Sequence, residues 1–250
     1  MTRSPIHKAL SILRKHRVRA LLMGGQACIL YGAAEFSRDI DIAIAADERN
    51  LECLQSALKE LEGEPIFVPA LSPDVLRRGH ACHFRCAAAG LEGLRIDVMS
   101  VLRGCDPFDK LWSRRRTVPI PGIGGVHLLG LGDLVQAKKT QRDKDWPMIR
   151  RLLEADYHRG SRKPSRQRIA FWLREVRTSE ILVTLCEQHT ATARRLASVR
   201  PALRPALRGD RAGVDRALLT EQEATRAADR KYWAPLRAEL ARWRRLRQEK

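Results

Sequence analysis

An alternation of aspartate and isoleucine most constrains how this chain can fold. The run Asp39-Ile40-Asp41-Ile42 follows Leu21-Leu22-Met23-Gly24-Gly25 after thirteen residues. In a strand, side chains at i and i+2 share one face, so the pattern predicts a strand with an apolar face and an acidic face. Asp is disfavoured in strands and neighbouring carboxylates repel, so the pair needs a reason. Divalent metal binding supplies one, because Mg²⁺ is held by carboxylates together with phosphates.

A third acid, Asp97, lies inside the apolar stretch Leu94-Arg95-Ile96-Asp97-Val98-Met99. If this strand pairs beside the first, three carboxylates converge and could hold two metal ions about 3.5–4 Å apart. Gly24-Gly25 leads into a predicted helix, whose first N–H groups favour phosphate, and glycine lets a ligand approach the backbone closely.

This order of motifs resembles the nucleotidyltransferase superfamily of DNA polymerase β. In that superfamily an apolar strand, Gly-Gly or Gly-Ser, an acid-apolar-acid segment and a later strand acid follow one another, as they do here over residues 18–100. The resemblance implies an α+β fold with a small mixed sheet flanked by helices. It also implies that Asp39, Asp41 and Asp97 bind Mg²⁺ or Mn²⁺ and catalyse, that Gly24 and Gly25 contact the nucleotide, and that an NTP is the substrate.

A second block extends the resemblance to about residue 155. Asp133-Leu-Val-Gln-Ala-Lys138-Lys139-Thr-Gln-Arg142-Asp-Lys144-Asp145 is similar to a segment of AbiEii-type and related bacterial nucleotidyltransferases. If a helix runs through it, Lys138, Arg142 and Asp145 share one stripe. The resemblance implies that this stripe binds the nucleotide, with Lys138 neutralising triphosphate charge and Asp145 orienting that lysine or contacting the acceptor.

Three alternatives stay open for these residues. The segment from Lys138 to Asp145, taken alone, is more typical of a solvated helix face than of a nucleotide site. The sequence does not decide whether Lys138 or Lys139 faces the nucleotide. Arg38 either touches phosphate or is an exposed residue at the start of its strand.

The net charge of +18 predicts attraction to polyanions. It is concentrated in residues 160–250, which hold 22 Lys and Arg against 10 Asp and Glu. We therefore expect nucleic acid as a partner, with RNA favoured, although many of these arginines could simply solvate helices.

The segment His80-Ala-Cys82-His83-Phe-Arg-Cys86 has the residue types of a zinc site but not a zinc-finger spacing. It reads better as a strand with the cysteines on one face and His83 on the other. We expect the six cysteines to be reduced and buried in a cytoplasmic protein. No signal peptide is visible, and no apolar run approaches the roughly 18 residues of a membrane-spanning helix.

Sequence patterns predict two domains, residues 1–158 with the motifs and residues 165–250 with basic helices, joined by a linker over 159–165. Strands are expected at 18–23, 39–44, 66–68, 80–88, 94–100, 117–120 and 126–129. Helices are expected from Ser4-Pro5, at 26–31, from the cap Asp47 to 61, from Pro73, and at 108–115, 132–141, 143–155, 167–189, 192–199 and 215–247.

The predicted reaction that accounts for these features is transfer of NMP from an NTP to an acceptor hydroxyl. RNA, tRNA among its forms, is the favoured acceptor, and the family resemblance suggests a toxin with an antitoxin partner. The alternatives are a non-catalytic module that binds RNA or a protein, and a transferase acting on a protein or on a small molecule such as an antibiotic. Composition and motifs do not indicate an oligomeric state.

Overall fold

The computed structural model describes residues 4–34 and 36–248, in which one seven-stranded mixed sheet is accompanied by helices. The order of the strands across the sheet is β3-β4-β5-β2-β1-β7-β6, with β2–β5 and β1–β7 parallel and the other pairs antiparallel. The strands are β1 (Ala20–Met23), β2 (Asp39–Ile44), β3 (Gly63–Pro65), β4 (Cys82–Cys86), β5 (Arg95–Met99), β6 (Arg116–Ile120) and β7 (Gly124–Leu128).

The helices include the 38-residue α12 near the end of the chain. They are α1 (Pro5–Lys15), α2 (Gly24–Leu30), α3 (Glu48–Glu60), α4 (Pro73–Arg77), α5 (Phe108–Ser113), α6 (Leu131–Ala137), α7 (Asp145–Gly160), α8 (Arg166–Glu175), α9 (Ser179–Gln188), α10 (Thr190–Leu196), α11 (Leu203–Ala206) and α12 (Arg211–Gln248). The predicted α+β class is confirmed.

The two faces of the central strands differ in chemistry. In β2, Ile40, Ile42 and Ile44 are buried and alternate with the half-buried Asp39 and Asp41. In β5, Ile96 and Val98 are fully buried and alternate with Arg95, Asp97 and Met99. The isoleucine face therefore belongs to the core, and the opposite face carries the charged residues.

Predicted helix caps are confirmed at the starts of α1 and α3, and α4 begins at Pro73 as predicted, with Ser72 as an additional cap. The side chains of Ser4, Asp47 and Ser72 each accept a hydrogen bond from a backbone N–H of the first turn. Each cap satisfies an N–H group that has no partner within its helix.

The predicted strand at 66–68 is wrong. The strand in this region is β3, where Gly63 to Pro65 pair with Cys86 to Phe84. One more hydrogen bond joins the N–H of Ile66 to the carbonyl of His83 at 2.9 Å, and the chain then leaves the sheet.

The predicted helix at 167–189 is divided into α8 and α9. Arg200 is 5% exposed, and its guanidinium donates to the carbonyls of Leu173 and Val176 at 2.9 and 2.7 Å. These bonds satisfy carbonyls at the end of α8 that would otherwise lack a partner, so a distant arginine stabilises the interruption.

Two compact units are present in the chain, and α12 contributes residues to both. The first consists of residues 1–30, 34–137 and 232–250, and the second of residues 31–33 and 138–231. That residues 1–158 and 165–250 form separate domains stays a prediction. Within residues 4–34 and 36–248, no helix is long and apolar enough to cross a membrane.

Candidate active site

The three predicted metal ligands lie on one face of the sheet. Because β2 and β5 are parallel and in register, Asp41 is directly opposite Asp97, and Asp39 is directly opposite Arg95. Neighbouring strands are about 4.8 Å apart, and register partners point to the same side. We call Asp39, Asp41 and Asp97 the acid cluster.

The line of register partners that contains Asp41 and Asp97 extends to the strands on both sides. Met23 at the end of β1 is the partner of Asp41, and His83 on β4 is the partner of Asp97. The acid cluster is therefore built from neighbouring strands, which fix its geometry more firmly than loops would.

Asp97 is held by two basic side chains. Its Oδ1 accepts a hydrogen bond from Nε of Arg95 at 2.7 Å and lies 2.8 Å from Nδ1 of His83. Burial acts to raise the pKa of Asp97, but the hydrogen bonds from His83 and Arg95 and their charges outweigh it and lower that pKa. Asp97 is thus kept ionised.

The turn before the acid cluster has room only for glycine. Gly24 begins α2 with a φ of 62°, and a Cβ placed on it would lie 1.7 Å from Oδ2 of Asp41. A Cβ on Gly25 would lie 2.4 Å from Oγ of Ser37. The Asp41 carboxylate therefore packs directly against the backbone of Gly24, which explains the Gly-Gly pair in terms of close approach.

The donor chemistry at Asp39 and Asp41 fits a hard divalent cation. Two carboxylates two residues apart on one strand face offer the oxygen ligands that Mg²⁺ and Mn²⁺ prefer. In the part of the chain that the structure describes, no three His, Cys, Asp or Glu side chains are arranged as a metal-binding group. Asp97 as a third ligand, and the metal itself, stay predictions.

A second cluster forms around Asp145, which is 3% exposed. The predicted helix at 132–141 is wrong in its last turn, since α6 ends at Ala137 and a loop leads to α7. Within this loop, Oγ1 of Thr140 and Nε of Arg142 donate to Oδ2 of Asp145 at 2.5 and 2.7 Å, and Nζ of Lys138 lies 3.5 Å from Oδ1. The continuous helical stripe is therefore replaced by a loop folded around one carboxylate.

The charges of this second cluster determine the protonation of its acid. Burial acts to raise the pKa of Asp145, but the hydrogen bond from Thr140 and the charges of Lys138 and Arg142 lower it overall. The loop is also fixed from outside, because the N–H of Gln141 donates to Oδ2 of the buried Asp229 at 2.8 Å.

Lys138 and Lys139 point to different partners. Lys138 is 11% exposed and pairs with Asp145, whereas Nζ of Lys139 lies 2.8 Å from Oε2 of Glu175. Lys138 is thus the lysine of the Asp145 cluster.

Exposed aromatic rings adjoin two residues near the acid cluster. Phe36 is 71% exposed. The exposed guanidinium of Arg38 lies over its ring, with Cζ of Arg38 5.6 Å from the ring centroid. Phe67 is 46% exposed and meets the ring of His83 edge-on at 5.9 Å. Sequence reasoning did not single out these phenylalanines, and no local pattern distinguishes them from core residues.

Arg95 and His83 also lie on this face, and sequence reasoning gave neither of them a role beside the acid cluster. Arg95 stands two positions before Asp97 in a strand, so the period of two that identified the acid pair would also have found it. Identifying His83 as a neighbour of Asp97 requires knowledge of the β4–β5 register.

The cysteines of β4 behave as core residues. Cys82 and Cys86 are 1% exposed, and burial raises the pKa of both thiols to about 11. His83 lies on the opposite face of the strand, as the alternation predicted.

A cavity of about 380 Å³ lies on the isoleucine side of the sheet. Its floor includes Leu22 and Ile42, which alternate with Met23 and Asp41 along β1 and β2. The acid cluster is on the other face and does not line this cavity.

No family model matches this chain, and no curated protein matches it. Two solved structures from Helicobacter pylori are similar to it. A proposed nucleotidyltransferase is 14% identical, with 88% of this chain and 95% of that chain covered and a TM-score of 0.40. The protein JHP933 is 11% identical, with 93% and 94% covered and a TM-score of 0.34.

Proposed function

We propose that this protein is a metal-dependent nucleotidyltransferase. The observation that carries the proposal is the placement of Asp39, Asp41 and Asp97 on one sheet face, with Asp41 in register with Asp97 and packed against Gly24. Asp39 and Asp41 lie two residues apart on one strand face, where their mutual repulsion opposes folding, and a divalent cation between them would relieve it.

In the proposed reaction, an acceptor hydroxyl oxygen forms a bond to the α-phosphorus of an NTP. The bond from that phosphorus to the bridging oxygen of pyrophosphate breaks, and the hydroxyl proton passes to solvent. Asp39 and Asp41 would hold the Mg²⁺ or Mn²⁺ ion, which supplies charge neutralisation at the phosphates when bound. The close packing at Gly24 fixes the carboxylate of Asp41 for this task.

The Asp145 cluster supplies the second part of the proposal. The sequence resemblance assigns Lys138, Arg142 and Asp145 to the nucleotide, with Lys138 on the triphosphate. The ion pairs made by Asp145 support a positioning role, since they hold Lys138 and Arg142 on one carboxylate. Gly25 and Arg38 complete the proposed nucleotide contacts, and Phe36 and Phe67 offer exposed rings for stacking on a base.

RNA is the proposed acceptor, with tRNA included. The C-terminal turns of α12 carry the exposed cations Arg242, Arg244, Arg245 and Arg247, which favour a polyanion over a cationic small molecule. The toxin role, with a protein antitoxin as partner, is proposed from the family resemblance alone.

The test is incubation of the protein with each α-labelled NTP, Mg²⁺ and total RNA, followed by separation of RNA from protein. We expect label in RNA with the unaltered chain and none with Asp41→Asn. Asp215→Asn, which removes an exposed acid of α12 outside both clusters, should label RNA normally. Absence of label from both RNA and protein with all four NTPs would contradict the proposal.

A non-catalytic binding module is the second candidate. It is favoured by the hydrogen bonds that occupy Oδ1 of Asp97, which neutralise part of the acid cluster without any metal. This candidate predicts RNA binding without label transfer, and equal RNA affinity for the unaltered chain and for Asp41→Asn.

A further inference from the structure

Arg95 contacts both Asp97 and His83 on the charged face of the sheet. Its Nε donates to Oδ1 of Asp97 at 2.7 Å, and its terminal nitrogen lies 3.1 Å from Nδ1 of His83. The same carboxylate oxygen lies 2.8 Å from His83. Arg95 and His83 thus both contact Oδ1 of Asp97, which leaves this oxygen little capacity for a metal ion.

The register places Arg95 among all three carboxylates. It is directly opposite Asp39 on β2 and two residues before Asp97 on β5, so it projects from the acidic face. The hydrogen bond to Asp97, with the charges of Asp97, Asp39 and Asp41, raises its pKa although burial opposes the change. A guanidinium remains protonated in proteins, so this positive charge is permanent.

We infer that Arg95 takes the place of a second divalent cation, so that this site binds one metal ion, at Asp39 and Asp41. The inference rests on the proposed function and specifies how many ions the acid cluster takes. One divalent ion and one guanidinium together balance the charge of the three carboxylates. Arg95 is a positioning residue that fixes Asp97 and neutralises it.

A second ion at Asp97 meets two obstacles in this arrangement. It must share a partly buried carboxylate whose Oδ1 already accepts a charge-assisted hydrogen bond, and it must stay beside the fixed positive charge of Arg95. Removing Arg95 removes both obstacles and leaves His83 as the partner of Asp97. The chain without this arginine should therefore gain a metal site.

The experiment counts Mn²⁺ ions bound per chain by electron paramagnetic resonance, with Mn²⁺ alone as the probe. We expect one ion for the unaltered chain and two for Arg95→Gln. The dissociation constant of the second ion should be at least tenfold lower for Arg95→Gln than for any second ion that the unaltered chain binds at high Mn²⁺ concentration. The double variant Arg95→Gln/Asp97→Asn should return to one ion, because the second site needs the Asp97 carboxylate.

Arg85→Gln is the matched control. Arg85 is exposed and is the register partner of Arg95 on β4, so its removal takes one positive charge from the same face without touching Asp97. It should bind one ion. Arg95→Lys retains the charge and should also bind one ion, and circular dichroism establishes that each variant is folded.

Each other pattern overturns the inference. The inference about Arg95 fails, and the proposed function stands, in any of three cases: two ions bind to the unaltered chain, one ion binds to folded Arg95→Gln, or Arg85→Gln gains a second ion. If Arg95→Gln does not fold, the count on the unaltered chain still decides, since two ions there exclude the inference and one ion supports it. No bound ion on any chain would overturn the metal-dependent function together with the inference.

Discussion

Asp41 and Asp97 are register partners on the parallel strands β2 and β5, so their carboxylates leave the sheet on the same side from adjacent strands. Residues 56 positions apart in the sequence thereby become side-chain neighbours on a rigid scaffold. This relationship connects the folding pattern of the sheet to the proposed chemistry.

Gly24→Ala should weaken metal binding through the carboxylate that Gly24 touches. The left-handed backbone costs a Cβ-bearing residue about 1–2 kcal/mol, and the new Cβ also collides with Asp41. We expect Mn²⁺ affinity to fall at least tenfold, measured by titration on folded protein.

Gly93→Ala is the control for that substitution. Gly93 has a φ of 79°, and its added Cβ meets no atom within 4 Å, so it carries the backbone cost alone. It should lose less stability than Gly24→Ala, because no atom collides with the new Cβ, and its Mn²⁺ affinity should be unchanged. Equal Mn²⁺ affinities in the two variants would show that the contact between Gly24 and Asp41 does not shape the site.

The acid face was predictable because its pattern is local. The alternation in β2 and the spacing from Gly24 identify the acid pair from the sequence, and the structure agrees on the bounds Asp39–Ile44. The histidine partner of Asp97 required more than local pattern, since His83 reaches it through the β4–β5 register. Strand register depends on the whole sheet and on turn geometry.

The loop around Asp145 was not predictable from helical spacing. Residues 138–144 carry a periodic charge pattern that favours a helix, but Asp145 is buried and accepts a hydrogen bond from Thr140, five residues earlier, which does not fit helical spacing. The carboxyl of Asp229 on α12 adds a further bond from a distant position in the sequence. Tertiary contacts of this kind override local propensity.

Lys138→Ala should raise the KM for the NTP by at least about tenfold. A charge-assisted hydrogen bond to phosphate contributes about 1.5–3 kcal/mol, and about 1.4 kcal/mol corresponds to tenfold in affinity. Steady-state kinetics measure the change. Lys139→Ala removes the ion pair with Glu175 and should leave the KM within about twofold. A larger effect from Lys139→Ala than from Lys138→Ala would reverse the assignment.

Asp145→Asn should destabilise the protein by about 2 kcal/mol at pH 7. The folded pKa of Asp145 is below its usual value of 3.8, so its ion pairs stabilise the fold above that pH and are lost as the pH falls through the folded pKa. Urea unfolding of both proteins should show a difference that is constant above about pH 5 and shrinks below pH 4.

The control for this pH dependence is Asp143→Asn. The Asp143 side chain is 95% exposed, and we expect its loss to change the free energy of unfolding by less than about 1 kcal/mol. A difference between Asp145→Asn and the unaltered chain that persists unchanged to pH 3 would exclude the charged carboxylate as its source.

Arg244, Arg245 and Arg247 should contribute to the salt dependence of RNA binding. If each binds one phosphate, the triple change to Gln reduces the slope of log K against log salt by about 0.7 for every phosphate that is no longer neutralised. Filter binding between 50 and 200 mM salt, roughly the range over which such slopes are measured, gives the value. The three exposed cations Arg49, Lys59 and Arg151, changed to Gln together, should leave the slope unaltered. Equal effects of the two triple variants would indicate non-specific attraction by net charge.

The most direct measurement of the central claim compares α-labelled with γ-labelled NTP as donors to the acceptor, with the unaltered chain and with folded Asp41→Asn. Nucleotidyl transfer predicts that α-label enters the acceptor, that γ-label leaves as pyrophosphate, and that Asp41→Asn does neither. Transfer of γ-label to the acceptor, or undiminished transfer of α-label by Asp41→Asn, would contradict the account.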